Sequence, residues 1–267
     1  METLNITLLQ PDIIWEKPAA NLENYKKLLS GIGKSDLIVL PEMFTTGFTM
    51  HPERMKESMD GQTVNWMRQI ASKKNTAVTG TIIIEEEGNF YNRCLWVFPD
   101  GSVKWYDKRH LFTMAGEHLH YTPGKERLIV EHRGWRFCPL ICYDLRFPVW
   151  SRNNEDYDVL IYMTNWPSAR HHVWKSLLVA RAIENQSYCV GVNRVGVDAS
   201  EKIYRGDSAF IDPKGFATFL GPSVNVETFK VTYGDLHSFR KVFPVLKDQD
   251  SFIITDTVVQ EHNPIEE

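Results

Sequence analysis

Residues 136–148 read RFCPLICYDLRFP, and the way this stretch breaks constrains the fold more than any other. A mostly apolar run from Phe137 to Ile141 stops abruptly at Cys142, Tyr143 and Asp144. Short apolar runs of this kind suit a buried strand. Polar residues with Pro148 shortly after them suit a tight turn into a helix. Such an arrangement lifts one thiol off the end of a strand, as a nucleophile elbow does, although the glycines of the serine version are absent. Taken alone, the same residues also describe a buried structural cysteine, since free cysteine packs as a small hydrophobe. Other parts of the chain decide between the two.

Two further stretches read as strands covered on both faces, because their apolar residues are consecutive rather than alternating. Residues 36–40 contain LIVL and end at Pro41-Glu42, and residues 159–163 end at Asn165-Trp166-Pro167. Residues 4–9 predict a first strand. Residues 76–84, 90–99 and 103–107 predict three consecutive strands, the last two joined through Asp100-Gly101, a good hairpin step. Strands at 127–131 and 136–141 flank Arg133-Gly134, and later ones fall at 187–192, 208–211, 216–220 and 226–232. Helical spacing of apolar residues marks 21–29, 64–74, 171–184 and 236–243, with a short helix near 146–152. Residues 109–125 read as irregular and histidine-rich, and the tail as extended. No repeat, low-complexity tract or linker interrupts the chain. The pattern predicts one α/β domain over residues 1–267, with a mixed sheet and a C-terminal extension from about residue 244. Two sheets packed face to face, with helices outside, would use so many strands.

Composition narrows the partners. The chain has 267 residues, 43% hydrophobic and 24% charged, enough for a large core. A net charge of −4, a pI near 6.2 and no lysine or arginine run argue against nucleic acid and anionic membranes. The N-terminus lacks the basic and apolar regions of a signal peptide, and no apolar segment approaches the ~20 residues of a membrane span. Cys94, Cys138, Cys142 and Cys189 form no CxxC pair, so reduced thiols in a cytoplasmic protein are expected.

Three polar residues sit at the ends of predicted strands: Glu42 in LPEM, Lys108 in YDKRHLF and Cys142 in LICYD. In open α/β sheets, sites gather beyond the carboxyl ends of strands. A thiol near its ordinary pKa of ~8.5 needs a base or a cation to become nucleophilic at neutral pH. Glu42 can take the proton, and Lys108 can stabilise thiolate character and then an oxyanion. The backbone N–H of Tyr143 is the natural second oxyanion donor.

LPEMFTTGF, YDKRHLF and LICYDLRFP resemble the three signature segments of the nitrilase superfamily of carbon–nitrogen hydrolases. The resemblance runs from the first strand to about Phe252. It is nearest the bacterial omega-amidase branch through CYDLRFPVWSRN, TNWPSAR, LLVARAIENQSY, NRVG and YRGDS. It implies a four-layer α-β-β-α sandwich with two mixed sheets and a Glu–Lys–Cys triad at Glu42, Lys108 and Cys142. It also implies a second glutamate between lysine and cysteine; Glu117 in AGEHLHYTPG fits best, ahead of Glu126, and would orient Lys108 and the leaving nitrogen. A homodimer is implied as well, formed through residues 146–152 and the tail after Phe243, with Phe147, Trp150 and Phe252 as its apolar surface.

Other residues are less determinate. Arg146 can bind a substrate carboxylate, or pair with Asp144 or with a carboxylate of a partner subunit; Arg170 in NWPSAR is similar. An arginine fork is the natural receptor for a carboxylate. Phe44 and Trp166 flank strand ends and are expected to line the pocket, with core packing as the alternative. His118, His120, His171 and His172 have no cysteine at ligand spacing, and a metal would compete for the thiolate, so neither metal nor other cofactor is expected. Cys94, Cys138 and Cys189 lie in apolar strands and read as structural.

The resemblance implies hydrolysis of the terminal amide of a short dicarboxylic acid monoamide, of the 2-oxoglutaramate or 2-oxosuccinamate type. It would proceed through a Cys142 thioester, with Glu42 as base and acid in turn. Another amidase of the superfamily, such as one cleaving N-carbamoyl amino acids, is the second reading. A binding protein on the same fold is a third, opposed by the intact set of Glu42, Lys108, Cys142 and Glu117. A papain-like protease is disfavoured, since no histidine occupies a motif position.

Overall fold

A computed structural model describes residues 2–255. The chain opens with strand β1 (Thr3–Gln10), helix α1 (Pro18–Ser30) and strand β2 (Leu37–Val39). Two helices, α2 (Pro52–Met55) and α3 (Gln62–Lys74), precede three strands in succession, β3 (Ala77–Glu86), β4 (Asn89–Val97) and β5 (Val103–Asp107). Residues 109–125, expected to be irregular, contain two single-turn 3₁₀ segments, Thr113–Ala115 and Glu117–Leu119. Strands β6 (Val130–His132) and β7 (Trp135–Ile141) follow, then the 3₁₀ turn Cys142–Arg146, helix α4 (Pro148–Ser151), strand β8 (Val159–Met163) and helix α5 (His171–Asn185). The last part comprises β9 (Tyr188–Val192), β10 (Val195–Val197), β11 (Ile203–Arg205), β12 (Ala209–Ile211), β13 (Ala217–Phe219), β14 (Asn225–Thr232) and α6 (Tyr233–Val242).

These strands make two six-stranded sheets, ordered β14-β1-β2-β3-β4-β5 and β13-β12-β9-β8-β7-β6. Each is mixed in the same way. Three parallel strands form the centre (β1-β2-β3 and β7-β8-β9), and antiparallel strands flank them. The consecutive apolar residues of β2 explain the layering, because successive side chains leave a strand on opposite faces. Leu37 and Val39 join Phe137, Ile161 and Met163 in the core between the sheets. Ile38 and Leu40 instead meet Tyr25, Leu29 and Met67 of α1 and α3. On the far side, Trp174, Leu178 and Ala182 of α5 pack against the second sheet at helical spacing. The protein is thus an α/β fold with two mixed sheets between helical layers.

Some expectations need correction. The β10–β11 hairpin and the short α2 were not legible; the hairpin strands have three residues each, and Gly196 interrupts any alternation. Trp150 offers no exposed surface to a partner. It is buried, with its indole N–H donating to Tyr106 Oη at 3.0 Å. Phe147 is half-buried under the His110 ring, with centroids 3.8 Å apart. Phe252 alone of the three is open, and the tail beyond residue 255 lies outside the described residues. Among the described residues no helix is long and apolar enough to cross a membrane.

Candidate active site

The nucleophile turn is held by a buried aspartate. Cys142 has φ +42°, in the left-handed region that a side chain adopts only under constraint. Asp144 supplies that constraint. Its Oδ2 accepts from the Ile141 N–H at 2.9 Å and from Tyr106 Oη at 2.7 Å, and its Oδ1 accepts from the His110 N–H at 3.1 Å. The Tyr106 oxygen in turn accepts the Arg109 N–H at 3.0 Å. Residues 106, 109 and 110 bracket Lys108, so one carboxylate ties the cysteine turn to the lysine segment. The expected turn at Pro123-Gly124 closes the same segment from outside: the Gly124 N–H donates to Lys108 O at 2.9 Å. A Cβ at Gly124 would stand 2.0 Å from Asp107 O, so only glycine fits there.

Glu42 follows β2, Lys108 follows β5, and Glu117 begins the second 3₁₀ turn; all three side chains are buried. Lys108 Nζ donates to Glu42 Oε1 at 2.8 Å and to both oxygens of Glu117 at 2.9 Å. Glu42 Oε2 accepts the Asn165 N–H at 2.9 Å, and Glu117 Oε2 accepts the Phe112 N–H. Glu126 is exposed on the surface, whereas Glu117 touches the lysine. Burial alone would lower the Lys108 pKa, but the charges of Glu117 and Glu42 outweigh it and raise it, so the lysine is an ammonium. Burial, opposed by Lys108, pushes Glu117 upward.

Cys142 is half-buried at the same place. Its thiol pKa is pushed well above the ordinary value by burial and by the Glu42 charge, which outweigh the pull of Lys108 and the Asn165 N–H. The sequence expectation that Lys108 can stabilise thiolate character holds only as the smaller, opposing influence. A carboxylate in contact with the sulfur opposes a second negative charge. The thiol and the Glu42 side chain are thus hydrogen-bonded to each other. The other three cysteines are buried in strands, and burial raises the Cys94 and Cys138 thiols to about 12.

Glu42, Lys108 and Cys142 open into a cavity of roughly 200 Å³, small beside ordinary ligand clefts of about 300–1,000 Å³. Its outer wall carries Tyr143, Arg146, Trp166 and Arg170. The Arg146 guanidinium lies 5.1 Å from the Trp166 ring centroid and that of Arg170 5.3 Å from Phe112. Among the described residues neither arginine forms an ion pair or a side-chain hydrogen bond, and Asp144 is occupied by other donors. Phe44 does not reach the cavity. Met43 has φ +43°, which turns the chain after Glu42 and sends Phe44 into the helix-side core, edge-on to Tyr25 at 5.3 Å. The histidines are dispersed: His118, His120 and His172 are exposed, and His171 pairs with Asp207.

Sequence reasoning missed several residues here. Asn92 donates to Glu42 Oε1 at 2.9 Å and to Glu117 Oε1 at 3.2 Å. Its signal was present: an asparagine inside the strand FYNRCLWV runs against strand propensity. Asn165 was read only as a strand-end residue, yet it fixes Glu42 through backbone and side chain. Phe48, Phe112, Lys202 and Tyr204 also line the cavity, and the last two arrive on the unforeseen hairpin.

Comparison with known proteins agrees with this geometry. Residues 5–224 match the carbon-nitrogen hydrolase family model. Omega-amidase YafV of Escherichia coli is 48% identical over 254 residues, 94% of this chain and 99% of that protein. The 2-oxoglutaramate amidase of Bacillus subtilis is 35% identical over 79% of this chain and 83% of its own. A CN-hydrolase superfamily protein of Xanthomonas campestris, solved with an arsenic adduct in its active site, superposes with a TM-score of 0.93 at 44% identity, covering 96% of this chain and 100% of that one. With the two sheets, the buried carboxylate–ammonium cluster and the cysteine turn already in place, these likenesses identify the chain as a member of the carbon-nitrogen hydrolase family.

Proposed function

We infer that this protein is an omega-amidase. It hydrolyses the terminal amide of a short dicarboxylic acid monoamide, of the 2-oxoglutaramate type, to the acid and ammonia. The names of its relatives in Escherichia coli and Bacillus subtilis support the reading. The observation that carries it is the cavity itself: a thiol, a base and an ammonium on one side, and on the other two guanidinium groups that have no ion partner among the described residues.

In the mechanism we propose, Cys142 attacks the amide carbonyl as its proton passes to Glu42. Two of the three Lys108 contacts go to the same Glu117 carboxylate, so one N–H can turn to the developing oxyanion without unpairing either glutamate. Tyr143 is the second residue of the 3₁₀ turn, and N–H groups that open such turns lack partners within them. It supplies the second donor. Glu42 gives its proton to the departing ammonia, then activates water against the thioester. Arg170 or Arg146 holds the distal carboxylate. A cavity of about 200 Å³ suits a substrate of this size. No step calls for a metal or other cofactor.

We propose in addition a homodimer, through apolar groups other than Phe147 and Trp150: Phe216, Val242 and Phe243 are 75%, 84% and 57% exposed. Light scattering at micromolar concentration tests it, and a monomer mass would refute it.

Ammonia release across 2-oxoglutaramate, succinamate, glutamine, an N-carbamoyl amino acid and a nitrile tests the activity. The 2-oxo acid amide and succinamate should be the fast substrates. Preference for the carbamoyl compound would replace this reading with the second amidase class.

A further inference from the structure

Two carboxylates packed around one ammonium leave a net negative charge in a buried cluster, a costly arrangement unless further donors face it. Asn92 is that donor. We propose that Asn92 is the positioning residue that keeps Glu42 and Glu117 side by side and both ionised around Lys108, so that Glu42 is available as base at neutral pH. The proposal rests on the reading of Glu42 as the base.

The orientation of the amide follows from its neighbours. The Met43 N–H donates to Thr81 Oγ1 at 2.8 Å. The Thr81 hydroxyl therefore turns its own proton outward, to Asn92 Oδ1 at 2.7 Å. With Oδ1 committed as acceptor, the NH₂ group faces the carboxylates, one N–H to Glu42 Oε1 and the other to Glu117 Oε1. The backbone joins in, since Asn92 O accepts the Lys108 N–H at 3.0 Å. One strand residue thus contacts the base, the second glutamate and the lysine. It donates without carrying charge: aspartate here would add a third carboxylate, and leucine would strip one donor from each glutamate. The titratable groups facing Glu42 and Glu117 are Lys108 after β5, Cys142 after β7 and the buried Tyr121 hydroxyl. Lys108 donates to the same two oxygens, Glu42 Oε1 and Glu117 Oε1, and Asn92 adds a second, uncharged donor to each.

The test is the acid limb of kcat/KM for 2-oxoglutaramate in Asn92→Leu, Asn92→Asp and Thr81→Val. A second readout needs no substrate: the pH dependence of Cys142 alkylation by iodoacetamide, in which Glu42 also receives the thiol proton. Both limbs should move to higher pH, by about one unit or more in the Asn92 variants, which is a tenfold loss on the acid side. Thr81→Val should move them less, because the amide keeps its place but loses its fixed orientation. KM should hardly change, and Asn92→Ser, with one donor, should recover part of the shift. Limbs that stay in place while kcat falls equally at every pH would make Asn92 a packing residue and overturn the proposal. If Asn92→Leu does not fold, Asn92→Asp and Thr81→Val decide the matter. Should the wild type fail to release ammonia from 2-oxoglutaramate, the substrate reading fails, and the alkylation profiles still report on Asn92.

Discussion

The two walls of the cavity treat charge in opposite ways. On the inner wall, Glu42, Lys108 and Glu117 are buried, and every ammonium proton and carboxylate oxygen has a partner. On the outer wall, Arg146 and Arg170 rest on aromatic rings, and among the described residues no carboxylate meets them. The inner wall is complete without a ligand, as chemistry common to all amides requires. Among the described residues the outer wall lacks an anion, and on the proposed function a substrate with a carboxylate at its far end supplies one. On that reading reactivity and selectivity fall to different residues, and substitutions on the two walls should have different signatures.

The largest effect belongs to the nucleophile. Cys142→Ala should lower kcat by about 10⁴-fold or more on every substrate, as removal of a catalytic nucleophile does, with the melting temperature retained. Glu42→Gln follows, with roughly 10²–10⁴-fold expected for loss of a general base, equally for charged and uncharged amides. The thiol itself offers a check on charge. Because burial and Glu42 disfavour the thiolate, the ultraviolet difference between wild type and Cys142→Ala should show no thiolate step below about 8.5. A step near neutrality would mean that Lys108 dominates the sulfur.

Stability separates the walls too. Lys108→Met leaves two buried carboxylates without their cation and should destabilise by about 3–5 kcal/mol. Arg170→Met and Arg146→Met break no ion pair among the described residues and should cost about 1 kcal/mol or less, the worth of a cation–π contact. Denaturant titration distinguishes the two outcomes. The smallest effect is expected at Lys202, exposed at the mouth of the cavity. Lys202→Met should raise KM for an anionic amide only about twofold, and salt should erase the difference.

What was legible in the sequence follows the same division. Strands 103–107 and 159–163 begin and end where their residues predict, because continuous apolar runs and a hairpin turn leave little choice of boundary. Glu42, Lys108 and Cys142 stand at strand ends, where a polar residue after an apolar run announces itself. Phe44 was misread because spacing along the chain does not reveal that Met43 turns in the left-handed region and reverses the side. Asn92 and Asn165 were overlooked because neutral amides carry no charge to draw notice, although both fix Glu42. Lys202 and Tyr204 reach the cavity on a hairpin too short and too polar for periodicity to mark.

The central claim is that the outer wall selects a carboxylate while the inner wall performs the chemistry. Its most direct test is kcat/KM for 2-oxoglutaramate relative to an uncharged amide of similar length, in wild type, Arg146→Met, Arg170→Met and the double variant. Truncating the arginine that holds the carboxylate should raise KM for 2-oxoglutaramate by roughly 10-fold or more, as expected for a lost charge-assisted contact. Hydrolysis of the uncharged amide should change far less, so the ratio collapses toward unity in the double variant. Equal losses on both substrates in every variant would contradict the account and make these arginines part of the scaffold.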